Sequence, residues 1–96
     1  VSWALADTDQ ITITGETRVY ESSADGRRHF CGQCGTSLFY TNAVIFPGQT
    51  DIQSATLDNP DALPLQAQIQ TAERIGWMET AHDLPSFHRY PGMPET

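Results

Sequence analysis

The sequence predicts a small, mostly β domain followed by an irregular, proline-rich C-terminal tail. Three observations lead to this prediction. β-Branched and aromatic residues alternate with polar ones in several short runs, which is the two-residue period of a strand. Turn dipeptides such as Asp25-Gly26 and Pro47-Gly48 separate those runs. From Leu84 onward, three prolines and a glycine exclude a regular element of any length.

The N-terminal third contains three predicted strands and one predicted turn. Apolar residues alternate over residues 1–5, and isoleucines alternate with threonines over residues 11–14. Residues 17–21 show the same strand-like composition and predict a third strand. Residues 22–26 predict a turn, because an Asp-Gly dipeptide accepts the positive φ that tight hairpins require. Residues 27–30 then lead into the cysteines.

The remainder of the chain contains two further predicted strands and one ambiguous segment. Residues 36–46 form a longer β-rich run, and residues 51–57 predict another strand, which Asn59-Pro60 ends. Residues 65–78 alternate like a strand and also place apolar residues on one face of a helix. Periodicity alone does not decide between these two structures.

Acidic side chains outnumber basic ones in this 96-residue chain. Twelve Asp and Glu stand against five Arg and no Lys, which gives a formal net charge of −7 at pH 7. Affinity for phosphate backbones and for anionic membranes comes mainly from clustered Lys and Arg, so we expect no nucleic-acid partner and no membrane partner. No apolar run approaches the ~18–20 residues of a spanning helix.

Two features bear on the compartment and on the boundaries of the chain. There is no basic segment followed by an apolar segment, and two cysteines are too few for a disulfide framework, so we expect a reducing, cytoplasmic location. The chain begins with Val1 inside an alternating stretch. We interpret it as a fragment whose upstream portion is absent, with proteolytic processing or tag removal as the alternative.

The two cysteines, Cys31 and Cys34, form a C-x-x-C pair. Such a pair is a zinc knuckle, a redox pair or a chance pairing. Gly32 and Gly35 suit the sharp turn of a knuckle, where backbone N–H groups approach the sulfurs, because glycine accepts positive φ. A redox pair needs its first cysteine at a helix N-terminus, whereas residues 36–40 favour a strand. The pattern therefore favours a zinc-ribbon-like knuckle.

Three histidines are further candidates for chemistry. His29 precedes Cys31 by two residues and is considered as a stand-in zinc ligand, with a packing or surface role as the alternative. His82 lies beside Asp83, but neighbouring residues in an extended tail point in opposite directions. We therefore expect no catalytic dyad there. His88 has no distinguishing neighbour.

A spaced series of motifs resembles the glutathione-dependent formaldehyde-activating enzyme family, also called the GFA or centromere-protein-V family. The matching residues are Gly15 with Tyr20-Glu21-Ser22-Ser23, residues 28–38, residues 56–60, Ile75-Gly76-Trp77, and Leu84-Pro85-Ser86-Phe87 with Tyr90-Pro91. The resemblance implies a β-tent of small antiparallel sheets pinned by zinc. It also favours strands over residues 65–78.

The resemblance implies a metal role for the cysteine pair. In the family, a structural zinc takes two cysteines from an N-terminal C-x-C motif and two from a Phe-Cys-x-x-Cys-Gly motif, which residues 30–35 match. A second, catalytic zinc takes three cysteines from a C-H-C-x-x-C motif. Both N-terminal motifs are absent from these 96 residues. Residues 1–96 are thus expected to be a single GFA-type domain that lacks its N-terminal zinc-binding segment.

The function implied is that of a zinc-dependent carbon–sulfur lyase acting on a thiol–aldehyde adduct, such as that of glutathione with formaldehyde. Cys31 and Cys34 are then half of a structural zinc site, no catalytic residue is assigned, and the fragment itself is expected to be inactive. A non-catalytic, zinc-stabilised scaffold or interaction module is the alternative, and a thiol–disulfide oxidoreductase is a distant third. A homodimer is left open.

Some aromatic and basic side chains are further candidates for a structural or a binding role. Trp77, Phe87 and Tyr90 are interpreted as core or tail-anchoring aromatics, because a thin β domain needs their apolar area. Arg27, Arg28 and Arg89 are candidates to hold a carboxylate of a glutathione-like ligand. The favoured interpretation of these arginines is solvated or structural charge.

Overall fold

The computed structural model describes residues 1–92 of the chain. Two compact units make up the chain, Val1–Leu65 and Gln66–Thr96. Pro94, the last of the predicted tail prolines, lies outside the described residues. Within residues 1–92, no helix combines the length and the apolar character needed to cross a membrane.

The first unit contains a five-stranded antiparallel sheet, which confirms the prediction of a mostly β fold. Its strands are β1 Trp3–Asp7, β2 Arg18–Tyr20, β3 Gly26–Phe30, β4 Ser37–Asn42 and β5 Gln49–Gln53. They lie in the order β1-β5-β4-β3-β2. Every neighbouring pair is antiparallel. The only other regular elements among the described residues are short 3₁₀ turns.

The turn between β2 and β3 is where the sequence predicts it, but its glycine acts differently. Gly26 does not have the positive φ expected of an Asp-Gly turn. Its N–H donates to Ser23 Oγ at 3.0 Å, and a Cβ at this position would lie 2.6 Å from the same oxygen. Gly26, which is itself buried, is therefore required for space at the end of this tight turn.

The predicted strand over residues 36–46 is shorter in the structure, because Asn42 ends it. The Asn42 Oδ1 accepts hydrogen bonds from the N–H groups of Val44 and Ile45, both at 3.0 Å. The Asn42 carbonyl accepts another from the Phe46 N–H at 2.8 Å. An asparagine side chain that bonds to the following backbone in this way replaces the ladder of a sheet with a turn.

Two other sequence-based strand assignments are wrong or too long. Residues 11–14 form no strand, because no described strand pairs with them and a strand needs a partner for its backbone N–H and C=O groups. β5 stops at Gln53, where the 3₁₀ turn Ser54–Thr56 begins. The Thr56 hydroxyl donates to the Gln53 carbonyl at 2.6 Å and stabilises this turn.

Residues 65–78 form neither the strands that the resemblance favours nor one continuous helix. Two 3₁₀ segments occur in this part of the chain, Thr71–Glu73 and Gly76–Asp83. Gln70 has a left-handed backbone with φ +57°, which interrupts any regular period at that point. Residues 84–92 contain only bends and turns.

The paired strands place two rows of side chains across the sheet, because directly opposite residues share a face. One face carries Ala4, Ile52, Phe39, His29 and Val19. The other face carries Leu5, Asp51, Tyr40, Arg28 and Tyr20. We call the second one the arginine face.

No apolar side chain among residues 1–92 is fully buried. The buried residues are Gly26, Asn42, Thr50 and Ser54. The interpretation of Trp77, Phe87 and Tyr90 as core aromatics is therefore wrong, since they are 61%, 59% and 79% exposed. Residues 66–92, the described part of their unit, form only 3₁₀ segments, bends and turns, with no sheet against which a ring would pack.

Candidate functional site: the cysteine turn and the arginine face

Cys31 and Cys34 lie in a closed turn between β3 and β4, which we call the cysteine turn and define as residues 31–36. The Cys31 N–H donates to the Thr36 carbonyl at 2.9 Å. The Gly35 N–H donates to the Cys31 carbonyl, also at 2.9 Å. Gly35 has φ +79°, a left-handed conformation that L-residues rarely adopt. These bonds hold both cysteines within one short loop.

The two glycines of this turn have different roles. The positive φ predicted for both is found at Gly35 and is absent at Gly32, so the prediction is wrong for Gly32. Gly32 is instead required for space, because a Cβ there would lie 3.0 Å from both Cγ and Cδ of Arg18. The aliphatic stem of Arg18 therefore lies directly against the start of the cysteine turn.

The Cys34 thiol has an electrostatic environment that favours its ionised form. The largest cause of its lowered pKa is the Thr36 hydroxyl, whose oxygen lies 3.0 Å from the Cys34 Sγ. The backbone N–H of Thr36 and the thiol of Cys31 lower the pKa of Cys34 further. Hydrogen bonds to a thiolate stabilise its charge and prepare it to bind a metal.

Thr36 contacts the candidate site, and the sequence did not identify it. Backbone N–H groups were expected near the sulfurs, but no side chain was, whereas the Thr36 hydroxyl oxygen lies 3.0 Å from the Cys34 Sγ. A threonine two residues after the last cysteine of a knuckle is the signal that would have identified it. The Cys34 side chain is exposed and that of Cys31 is half-buried, and both thiols are free.

The turn is chemically suited to supply two thiolate ligands. A tetrahedral structural zinc takes four ligands, most often cysteines and histidines. Within residues 1–92, no group of three or more His, Cys, Asp and Glu side chains is placed to hold a metal. The described part of the chain therefore offers Cys31 and Cys34 as a pair of ligands and no third member.

His29 does not join the two cysteines. Its ring contacts Phe39 edge-on, with the ring centroids 6.3 Å apart, and its Nδ1 lies 3.4 Å from the Thr17 hydroxyl. His29 and Phe39 lie on the same face of the sheet, opposite the arginine face. These contacts match the packing role that was the alternative to a metal ligand.

The backbone around the cysteines favours a knuckle over a redox pair. Neither cysteine lies at the N-terminus of a helix, where the helix dipole would activate a redox thiol. The turn leads instead into β4, as the residues after Cys34 predict.

His82 and Asp83 are in contact, which corrects the expectation that they point apart. They end the 3₁₀ segment Gly76–Asp83, so their backbone is not extended. The His82 Nε2 lies 3.3 Å from the Asp83 Oδ1, and the two side chains are 78% and 69% exposed. Water screens such a pair, and no described cleft surrounds it. It therefore remains an unsupported candidate for catalysis.

The structure separates the roles of the candidate arginines. Arg27 is structural: its Nη1 donates to the carbonyls of Ser23, Ala24 and Gly26 at 2.9–3.3 Å. Arg28 is exposed, and its guanidinium carbon lies 5.1 Å from the centroid of the Tyr40 ring. Arg89 is exposed in the second unit. Arg28 is thus the candidate that the sheet positions.

Other aromatic and acidic residues complete the arginine face. The Trp3 ring lies 6.5 Å from the Tyr40 ring, centroid to centroid. Asp51 pairs with Tyr40 on the side away from Arg28. Partial burial raises the pKa of the Asp51 carboxyl, because the sheet removes water from its charged form.

The fold and the site together define a small antiparallel β domain with two free cysteines in one closed turn. Residues 2–73, three quarters of the chain, match the family described as glutathione-dependent formaldehyde-activating enzyme. The chain belongs to this family, which confirms the resemblance. The motifs Ile75-Gly76-Trp77, Leu84-Pro85-Ser86-Phe87 and Tyr90-Pro91 lie outside the matched residues. No curated protein and no solved structure gives a significant match.

Proposed function

We propose that this protein is a zinc-dependent carbon–sulfur lyase of the GFA family that acts on a thiol–aldehyde adduct resembling that of glutathione with formaldehyde. The observation that carries the proposal is the cysteine turn, a knuckle with an activated second thiol in a chain of this family. Residues 1–96 are then one GFA-type domain, and its small-molecule partner is the thiol adduct.

Cys31 and Cys34 would hold the structural zinc in this proposal. The donor chemistry fits, because two free thiols share one closed turn and Thr36 stabilises the thiolate of Cys34. The other two ligands come from outside the described residues, on a further segment of a longer chain or on a second copy. A zinc bound at the catalytic position of the complete domain supplies Lewis acidity toward the adduct.

The chain's own residues contribute to this site by holding the turn. The Cys31 N–H and carbonyl are both bonded within the loop, so the first ligand has a fixed backbone. Thr36 bonds to the second ligand with its hydroxyl and its N–H, which sets the direction of the Cys34 sulfur. Such outer contacts to a metal ligand tune both its orientation and its charge.

The test uses the longest natural reading frame that contains this sequence. Zinc per chain is measured in the purified protein, and two-dimensional exchange NMR measures the rate at which glutathione and formaldehyde interconvert with their adduct. We expect bound zinc and an accelerated exchange that is lost after zinc removal and restored by zinc. A fully zinc-loaded protein that leaves the exchange rate unchanged would contradict the lyase.

A non-catalytic, zinc-stabilised scaffold is the second candidate. The observation that favours it is the exposure of large apolar side chains on the described chain, among them Val19 and Tyr20 on edge strand β2. An edge strand with exposed apolar side chains is a template on which a partner strand can pair. The zinc-loaded protein with no effect on the exchange rate is the outcome that this candidate predicts.

A further inference from the structure

Two arginines share the arginine face beside the cysteine turn. Arg18 pairs with Phe30, and Tyr20 pairs with Arg28, in the antiparallel ladder of β2 and β3. Opposite residues lie on one face, so Arg18 and Arg28 are diagonal neighbours on it, with backbones about 7–8 Å apart in such a pairing. Long side chains reach each other across that spacing.

The guanidinium groups of these two arginines are free to meet a ligand. Among residues 1–92, no ion pair or hydrogen bond involves either group. By contrast, Arg27 binds three carbonyls and lies 3.9 Å from Glu21, and Arg74 lies 3.6 Å from Glu79. Both Arg18 and Arg28 are exposed.

This arrangement is unusual for an acidic chain. Acidic residues outnumber arginines twelve to five, yet these two arginines are diagonal neighbours on one face, and the residues directly opposite them, Phe30 and Tyr20, carry no charge to neutralise them. Two like charges on neighbouring strands repel each other, more weakly at a diagonal position than directly opposite. In the row of paired residues on this face the acid is Asp51, which Tyr40 separates from Arg28. An anionic ligand would relieve the repulsion.

Neighbouring groups contact the Arg28 guanidinium and the aliphatic stem of Arg18 before any ligand binds. The Arg28 guanidinium lies over the Tyr40 ring at 5.1 Å, a cation–π contact. The stem of Arg18 lies against Gly32, where a side chain would collide with it. A guanidinium that is already oriented loses less freedom on binding a carboxylate, and its planar fork bonds to both carboxylate oxygens.

We propose that Arg18 and Arg28 form a binding site for the carboxylates of a short anionic thiol peptide that carries two carboxylates. The proposal rests on the proposed function, because it names the part of that thiol substrate which this chain recognises. The site lies next to the cysteine turn and uses charge and hydrogen bonding, with no role for a metal in holding the carboxylates.

Titration of the ¹⁵N-labelled 96-residue chain tests the proposal by NMR. The probe is S-methylglutathione, which keeps both carboxylates and has no free thiol to react with the cysteines or with metal. We expect shifts of the Arg18 and Arg28 side-chain N–H signals and a dissociation constant that rises with salt. The diethyl ester of the same probe, which lacks both carboxylate charges, is expected to bind at least about tenfold more weakly.

Variants locate the binding on these two residues. Arg18→Gln and Arg28→Gln are each expected to raise the dissociation constant at least about tenfold, because each removes a charge-assisted pair. Arg28→Lys keeps the charge without the fork and is expected to bind with intermediate affinity. Arg89→Gln, which removes an exposed arginine of the second unit, is the matched control and is expected to leave binding unchanged. Backbone amide spectra verify that each variant is folded.

Three outcomes would overturn the proposal: equal binding of the diester, unchanged binding by both glutamine variants, or no binding of S-methylglutathione up to about 10 mM. The probe undergoes no turnover, so this test is independent of the lyase assay. Binding of S-methylglutathione at the two arginines without faster adduct exchange would contradict the lyase proposal and support the carboxylate site. Faster adduct exchange without such binding would contradict the carboxylate site and support the lyase proposal.

Discussion

The Thr36 hydroxyl oxygen lies 3.0 Å from the Cys34 Sγ, and the carbonyl of the same threonine accepts the Cys31 N–H at 2.9 Å. One residue thus contacts both cysteines of the knuckle, the first through its backbone and the second through its side chain. The turn that brings the two cysteines together therefore also lowers the pKa of the Cys34 thiol.

Replacing Thr36 by valine is expected to raise the pKa of the Cys34 thiol toward its ordinary value. The substitution removes the hydroxyl, which is the largest cause of the lowered pKa, and preserves the shape of the side chain. The measurement is the rate of alkylation by iodoacetamide as a function of pH, in the metal-free chain with Cys31→Ser present in every sample. Thr41→Val, at the far end of β4, is the control. An unchanged pH profile for Thr36→Val would contradict the assigned role.

Replacing Gly35 by alanine is expected to destabilise the fold by about 1 kcal/mol, because φ +79° is unfavourable for a residue with a Cβ. Urea unfolding followed by tryptophan fluorescence measures the free energy of unfolding. Gly76→Ala is the matched control, since Gly76 has no positive φ and open space where its Cβ would lie. Equal effects of the two substitutions would show that the backbone of Gly35 is not the cause.

Replacing Asp51 by asparagine is expected to stabilise the protein at neutral pH. Burial raises the folded-state pKa of this carboxyl, so the folded state holds its proton more tightly than the unfolded state. The protonated Asp51 carboxyl contributes fully to the free energy of unfolding below its unfolded-state pKa of about 3.9. This contribution is lost as the pH rises through the folded-state pKa. Asparagine has no carboxyl to ionise, so the variant does not lose this contribution at neutral pH.

Urea unfolding at pH 3 and pH 7 measures this effect of Asp51→Asn. The gain in stability is expected at pH 7 and is expected to shrink at pH 3, where the wild-type carboxyl is protonated. Asp58→Asn, an exposed aspartate outside the sheet, serves as control. If the wild-type protein loses more free energy of unfolding than Asp51→Asn between pH 7 and pH 3, the prediction is contradicted.

The sheet was predictable where alternation coincides with a partner strand. The alternating apolar residues near Trp3 and Leu5 correctly predict β1, which pairs with β5 along its length. The isoleucine–threonine alternation at residues 11–14 has the same period and forms no strand, because no described strand lies beside it. Pairing is a long-range property, and a local pattern carries no information about it.

The site was predictable only as far as its motif. The C-x-x-C spacing identifies Cys31 and Cys34 and the turn that joins them. Arg18 lies thirteen residues before Cys31 in the sequence, and the pairing of β2 with β3 alone brings it against Gly32. Arg28 was a candidate among three arginines, and its contact with Tyr40 distinguishes it. Strand register supplies both facts.

If Cys31 and Cys34 are half of a structural zinc site, zinc binding by the purified 96-residue chain will reveal it. Native mass spectrometry gives zinc per chain and the oligomeric state together, after mild chelation and after zinc loading. We expect weak zinc binding by the monomer, or one zinc shared by two chains, with loss of both in Cys34→Ser. Tight binding of one zinc per monomer, or zinc retained at the same level in Cys34→Ser, would contradict it.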